Sequence, residues 1–288
     1  MTWIANSYAK INLGLHILER LPTGYHRIET GFCFIEWNDR FEVKPSENYR
    51  LSMSDSAIPV DERNLITKAY MAFGRYVGLK NQYAFNITKK IPAGAGLGGG
   101  SSNAALTFRI LNKMEGAGLS DDDLIDLSRD LGADIPFFIK GKPGLGTGLG
   151  QDVEPLDIQP DAWILTIYPG FESSTAEAYQ KCNPNPNPEF SIKSILTEEE
   201  PDQWQYLLQN NLEPPVIATY EIIGNIKDQL FDFGASYACM SGSGSSIFGI
   251  FEQDFVAINA YESFHKLGFA INLTRPGFKP DMGIYRKD

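Results

Sequence analysis

Cysteine, positive charge and long apolar runs are all scarce in this 288-residue chain, and each shortage closes off a class of protein. The three cysteines, Cys33, Cys182 and Cys239, stand far apart and form no CxxC or Cys/His grouping. That excludes a disulfide framework and a structural zinc site and fits a reducing compartment. Lysine and arginine number 25 against 36 aspartates and glutamates, a net charge of -11, so the overall field repels nucleic acid and anionic membrane. Any anionic ligand is therefore drawn by a local patch. No apolar run reaches the ~18 residues of a membrane span, and MTWIANSYAKINLGL has neither a basic leader region nor an Arg/Ser-rich transit character. These readings predict a cytoplasmic protein that engages neither nucleic acid nor membrane.

What the chain has in excess, at one place, is glycine. From Pro92 it reads PAGAGLGGGSSNAA, with Gly94, Gly96, Gly98, Gly99 and Gly100 in close succession before Ser101 and Ser102. A glycine run feeding an alanine-led segment is a loop entering a helix, where unpaired N–H groups and the helix dipole favour an anion, phosphate foremost. Ordering each glycine costs about 0.5–1 kcal/mol relative to alanine, which a ligand offsets and an idle loop does not. Gly94 to Gly99 also satisfies GxGxxG, but that dinucleotide fingerprint requires a parallel βαβ unit, and here Pro92 intervenes after strands of antiparallel pattern. Asp121 or Asp122 stands at the fingerprint's acidic position, yet SDDDL reads better as a helix start. The Walker pattern fails because no lysine precedes Ser101 or Ser102. A triphosphate cradle survives, with Ser101 or Ser102 in reach of a phosphate oxygen or a bound Mg²⁺.

The surrounding pattern is α+β. Ile11, Leu13, Leu15 and Ile17 alternate with Lys10, Asn12, Gly14 and His16, which is a strand with Lys10 and Asn12 on its polar side. LPTGYH turns the chain, and TGFCFIEW and DRFEVKP read as two strands separated by a turn at Asn38–Asp39. Residues 64–77 fit an amphipathic helix capped by Asn64, and YAFNITKKIP is a strand ending at Pro92. Helices follow from Ala104 to Met114 and from Ser120 to near Gly132, placing Asp134 just past a helix end, where the dipole disfavours a carboxylate. A carboxylate that costs stability where it stands is a site candidate. Beyond GKPGLGTGLGQ a second set of elements opens at Trp163; NPNPNP is a surface loop, and ACMSGSGSSIFGIF is a glycine-serine loop running into an apolar strand. The expected architecture is two lobes with a cleft between them and a soft boundary near residue 150. On periodicity alone Lys10 reads as a solvated edge charge as readily as a functional one, and Tyr25 and His26 as simple turn packing.

Together these residues carry a resemblance. The stretch from Pro92 to Ala104 or Ala105 matches P-x-G-x-G-L-G-S/G-S-S-x-A, the second motif of the GHMP kinase superfamily. AKINLGL, the GYH turn, LGADIPFF and SGSGSSIFGIF, spread over most of the chain in the expected order, liken it to one branch. That branch phosphorylates the 2-hydroxyl of a cytidine diphosphate derivative of methylerythritol in non-mevalonate isoprenoid synthesis. The resemblance implies an α+β, two-lobed GHMP kinase fold with the active site in the cleft. Residues 1–150 would form an ATP-binding lobe like ribosomal protein S5 domain 2, and residues 151–288 a ferredoxin-like lobe. It implies ATP and Mg²⁺ as cofactors, with no metal held by protein groups alone and Ser102 a contact through Mg-ATP.

Residue by residue, the resemblance makes Lys10 and Asp134 the catalytic pair, with Asn12 beside them. By the same resemblance Tyr25 and His26 would bind the cytosine, Tyr179 would stack it from the other side, and Thr175 would lie near the substrate phosphates. Asn64, Leu65 and Lys89 match the adenine pocket, and Pro92, Ala93, Gly94, Ala95, Gly96, Leu97, Gly98, Gly99, Gly100, Ser101 and Ser102 the phosphate loop. Ala93 and Ala95 fall where the family varies, and Ser241 and Ser243 where threonines are also common; neither departure removes an N–H or a charge. Rival readings are a GHMP kinase for homoserine, mevalonate or a sugar, or a ligand-binding member that no longer turns over. GYH favours the cytidylyl acceptor, and the presence of both Lys10 and Asp134 favours turnover. A monomer or weak homodimer is expected.

Overall fold

The computed structural model describes residues 1–287. In chain order its first part contains β1 (Thr2–Arg20), β2 (His26–Ser46), β3 (Arg50–Met53), α1 (Leu65–Val77), β4 (Gln82–Thr88), α2 (Gly99–Glu115), α3 (Asp121–Ser128), α4 (Ile135–Lys140), β5 (Gly144–Thr147) and β6 (Asp152–Pro155). The rest supplies β7 (Trp163–Tyr168), α5 (Thr175–Lys181), α6 (Ile192–Glu198), α7 (Pro201–Leu207), α8 (Glu213–Ile217), α9 (Glu221–Asp232), β8 (Tyr237–Met240), β9 (Ile247–Phe251), α10 (Asp254–Lys266), β10 (Ala270–Thr274) and β11 (Ile284–Lys287). One sheet runs β11-β1-β2-β4-β3, with β5 and β6 continuing from β2; the other runs β10-β7-β9-β8. Every pairing is antiparallel except β3 with β4. The strand before the glycine loop, β4, thus lies antiparallel to β2, and the parallel βαβ unit of a dinucleotide fold is absent there.

β1 and β2 form a long hairpin closed at Leu21–Tyr25, where Leu21 N–H donates to the Tyr25 carbonyl at 2.8 Å and Gly24 takes φ 89°. Both faces of β1 are covered, which departs from the alternation read in sequence: Ile11 and Leu13 pack toward the second sheet, while Lys10 and Asn12 are themselves buried. Their cross-strand neighbours are Phe34 and Phe32, so the polar side is floored by aromatic rings. Phe34 stacks on Phe137 of α4 at 4.4 Å between centroids, and Phe32 meets the same ring at 5.1 Å.

Three sequence expectations are corrected. No turn exists at Asn38–Asp39; β2 continues through it, and a register shift opposite Tyr8/Ala9 absorbs Glu36 and Trp37 as a bulge. Asp39 points inward and is fully buried, so a residue pair typical of turns serves here to bring a carboxylate inside. The helix expected from Ala104 begins at Gly99, because Gly98 adopts φ 68°, ψ 16° and lets the glycines form its first turn. Asp134 does not trail a helix: α3 stops at Ser128, and Asp134 is the N-cap of α4, where the dipole favours its charge. Its side chain makes no capping bond, which leaves the carboxylate free to act elsewhere.

Phe34, 1% exposed and wedged between Phe137 and Phe138, couples the first hairpin to α4. Phe34→Ala should cost about 3–5 kcal/mol, read as a lowered midpoint in urea unfolding; a loss below about 1 kcal/mol would show that α4 is positioned by something else.

Candidate active site

The glycine loop owes its shape to carbonyls turned into the protein. The Leu97 carbonyl accepts from Lys10 N–H at 3.0 Å, the Ala95 carbonyl from Ser246 N–H at 3.1 Å, and the Gly96 carbonyl from Ser241 Oγ at 2.9 Å. The amides of Ala93 to Ser101 find no protein acceptor among the described residues, and Ser102 is the first to close a helical bond, to Gly98. A row of free N–H groups capped by a helix N-terminus is an anion site. The loop borders a cavity of about 330 Å³ whose walls include Asn64, Leu65, Lys89 and every residue from Pro92 to Ser101.

Within that wall several side chains are already committed. Asn64 Oδ1 accepts from Ile66 N–H at 2.9 Å while Nδ2 donates to the Pro59 carbonyl at 2.7 Å, so this residue caps α1 and pins the 54–63 loop. Lys89 is paired with buried Asp39. Ser102 is buried with Oγ 2.7 Å from Ser7 Oγ, whereas Ser101 lines the cavity. Met53, Ile58, Pro59, Arg63 and Asn103 complete the wall. Sequence reasoning did not single them out; only Asn103, inside the quoted SSN, carried a signal.

At the inner end of the loop stands Lys10. Its Nζ lies 3.4 Å from Asp134 Oδ2, donates to Asn12 Oδ1 and sits 5.4 Å from the centre of the Phe32 ring. A separation of 3.4 Å is long for a charged pair, whose optimum is about 2.7–2.9 Å, so the ammonium is shared rather than consumed. Asn12 is held by its Nδ2 bond to Thr30 Oγ1 at 2.9 Å. A Cβ on Gly98 would fall 3.1 Å from Lys10 Cε, so the loop and this lysine are in direct contact. Asp134 remains partly open, its side chain 30% exposed.

Sequence-distant groups converge on the far side. Thr175 Oγ1, at the start of α5, is 2.8 Å from Ser243 Oγ in the 241–246 loop. That loop is held by Asn210 Nδ2, which donates to the Met240 and Gly242 carbonyls at 2.8 and 2.7 Å. His26 and Tyr179 face each other at 5.1 Å and 33°, a direct contact that admits no third ring between them. Burial, and then nearby Arg20, push the His26 pKa below 6.5, so the ring is neutral at pH 7 and offers one donor and one acceptor. Burial raises the Tyr179 phenol, and the Asp134 carboxylate raises it further. Tyr25 is 65% exposed at the tip of the turn. Among the described residues no group of three or more His, Cys, Asp or Glu is placed to hold a metal, and no helix is long and apolar enough to cross a membrane.

Comparison with known proteins gives a consistent result. Residues 64–142 match the family model described as GHMP kinases N terminal domain, and residues 194–269 the one described as GHMP kinases C terminal. The 4-diphosphocytidyl-2-C-methyl-D-erythritol kinase of Chlorobium phaeobacteroides is 38% identical, over 94% of this chain and 96% of its own. A crystal structure of 4-(cytidine 5'-diphospho)-2C-methyl-D-erythritol kinase superposes with a TM-score of 0.81 at 30% identity, over 94% of this chain and 98% of that one. The homoserine kinase of Cytophaga hutchinsonii superposes with a TM-score of 0.69 at 15% identity, over 97% and 98%, a likeness of fold alone.

Gly96 takes φ 76°, and a Cβ there would overlap the Ser241 carbonyl oxygen. Gly96→Ala should therefore lower stability by at least the roughly 1–2 kcal/mol of left-handed backbone strain and weaken nucleotide binding as the two loops are forced apart. An unchanged unfolding midpoint with native ADP affinity would contradict this contact.

Proposed function

The chain belongs to the GHMP kinases and, within them, to the 4-diphosphocytidyl-2-C-methyl-D-erythritol kinases, and from that premise we propose how its own residues carry the reaction. It is an α+β, two-lobed kinase, an ATP-dependent phosphotransferase whose acceptor is the 2-hydroxyl of 4-diphosphocytidyl-2-C-methyl-D-erythritol, in the non-mevalonate isoprenoid precursor pathway. The observation that carries the assignment of roles is the Lys10–Asp134 pair at 3.4 Å, set against the glycine loop at Gly98.

The free amides of Ala93 to Ser101 and the N-terminus of α2 hold the triphosphate, with the adenine end beside Asn64, Leu65 and Lys89. Mg²⁺ would enter with the nucleotide rather than in a protein cage, and when bound would supply charge neutralisation for phosphoryl transfer. The hydroxyl facing it is assigned to Ser101, which lines the cavity, in preference to Ser102, which is engaged with Ser7. The cytosine stacks on the open face of Tyr179, under Tyr25, with its edge read by neutral His26, and Thr175 and Ser243 hold the substrate's diphosphate. This leaves the 2-hydroxyl at Asp134. The carboxylate accepts or orients the hydroxyl proton, while the Lys10 ammonium, 3.4 Å from it, meets the charge of the phosphoryl group in transfer. Asn12 and the Phe32 ring fix the direction of the Lys10 ammonium. Residues 1–150 are taken as the nucleotide lobe, its sheet completed by β6 and β11, and the rest of 151–288 as the second lobe. Every group named comes from one chain, which suits a monomer or weak homodimer working in the cytoplasm.

ADP release in the presence of ATP and Mg²⁺ should be fast with the cytidylyl alcohol and slow with homoserine or mevalonate; comparable kcat/KM on either competitor would overturn the acceptor. Asp134→Asn should lower kcat by about 10²–10⁴-fold with ADP binding retained, and a near-native rate would remove Asp134 from the chemistry. Because neutral His26 is the binding form, KM for the cytidylyl alcohol should stay level above pH 6.5 and rise as pH falls through the lowered His26 pKa. His26→Phe should raise KM and erase that inflection; an inflection that persists belongs to another group.

A further inference from the structure

One carboxylate holds both ends of the phosphate loop. Asp39 is fully buried on β2, and its Oδ1 accepts from Lys90 N–H at 2.7 Å and Ile91 N–H at 2.9 Å, where the chain leaves β4 for the glycines. Its Oδ2 takes the Lys89 ammonium and, at 2.9 Å, Asn103 Nδ2, on the first turn of α2 beyond the glycines. The same Asn103 amide donates to Ser7 Oγ at 2.9 Å, and Ser7 Oγ lies 2.7 Å from Ser102 Oγ. Departure and return of the loop are therefore tied through a single pair of oxygens. The charge beneath the loop is fixed by the same group, since a Cβ on Gly99 would stand 3.1 Å from Lys89 Nζ.

A loop of glycines has almost no side chains of its own to hold its shape, and its free amides bind an anion well only if they are aligned before the ligand arrives. We propose that Asp39 is a positioning residue for ATP: it aligns the amides of Ala93 to Ser101 by fixing the ends of the loop, and acts on the nucleotide only through Lys89, Asn103 and the backbone. This rests on the kinase reading above. Asp39 and Ser7 are both outside the cavity wall, so any effect of changing them on nucleotide binding is transmitted through the loop.

The test uses Asp39→Asn and Ser7→Ala in the full chain, with ADP binding by calorimetry and separate KM values for ATP and the cytidylyl alcohol. Asp39→Asn turns one acceptor into an amide facing the Lys89 ammonium. It should raise the ADP Kd and the ATP KM by roughly 10- to 100-fold, with the KM for the alcohol within about threefold of wild type. Ser7→Ala, which frees the Asn103 amide from one partner, should raise the ADP Kd by about 3- to 10-fold and decides the matter if Asp39→Asn does not fold. Folded variants that bind ADP like wild type, or that raise both KM values together, would reduce Asp39 to a buried ion pair of purely structural use. ADP binding requires no acceptor, so its result stands apart from the wild-type turnover that tests the acceptor assignment.

Discussion

The ladder between β1 and β2 is the constraint on which the site depends. Because side chains alternate along a strand, one register decides that Lys10 lies over Phe34 and Asn12 over Phe32. A slip by one residue would send both polar groups to the layer shared with the second sheet and put Ile11 on the face that Lys10 now occupies. The aromatic floor that fixes this register also seats α4, and α4 carries Asp134 at its start. The Lys10–Asp134 pair is thus assembled by two packing relations, one across a hairpin and one between a sheet and a short helix, with the ion pair itself as their result.

The electrostatics follow from that arrangement rather than from composition. A chain of net charge -11 attracts a polyanion only through local dipoles and placed cations. Here the nearest lysines, Lys10 and Lys89, are both buried and both face a carboxylate, so much of the attraction falls to unpartnered backbone amides. Such dipoles keep their direction in a low-dielectric site and need no side-chain ordering at the moment of binding. This explains why the loop has so few side chains: a Cβ at Gly96, Gly98 or Gly99 would meet a carbonyl, a phenyl ring or the Lys89 ammonium.

What was legible in the sequence was local. Asn64 as a cap, the glycines as a helix entrance and the antiparallel character of the early strands each depend on neighbours within a few residues. The motif resemblance supplied Lys10, Asp134, His26 and Tyr179, which the structure brings together as two pairs, Lys10 with Asp134 and His26 with Tyr179. What pattern reading missed depends on contacts distant along the chain. Asn38–Asp39 has turn chemistry, and only the loop amides 51 and 52 residues away show why Asp39 is inside a strand instead. Asp134 was placed at the wrong kind of helix end because LGAD gives no sign that Ile135–Lys140 winds into a helix of its own. Met53, Ile58 and Pro59 wall the cavity beside the glycine loop from a segment whose sequence carries no functional mark.

The pairing of Thr2–Ala5 with Ile284–Lys287 sets a clock on synthesis. The outer edge of β1 is exposed as soon as the strand forms, yet its partner, Ile284–Lys287, is made only after the whole of the intervening chain. At about 5–20 residues per second that edge stays open for roughly 15–60 s. An unpaired edge is a template for a neighbouring chain, and on a polysome the neighbours carry the identical strand.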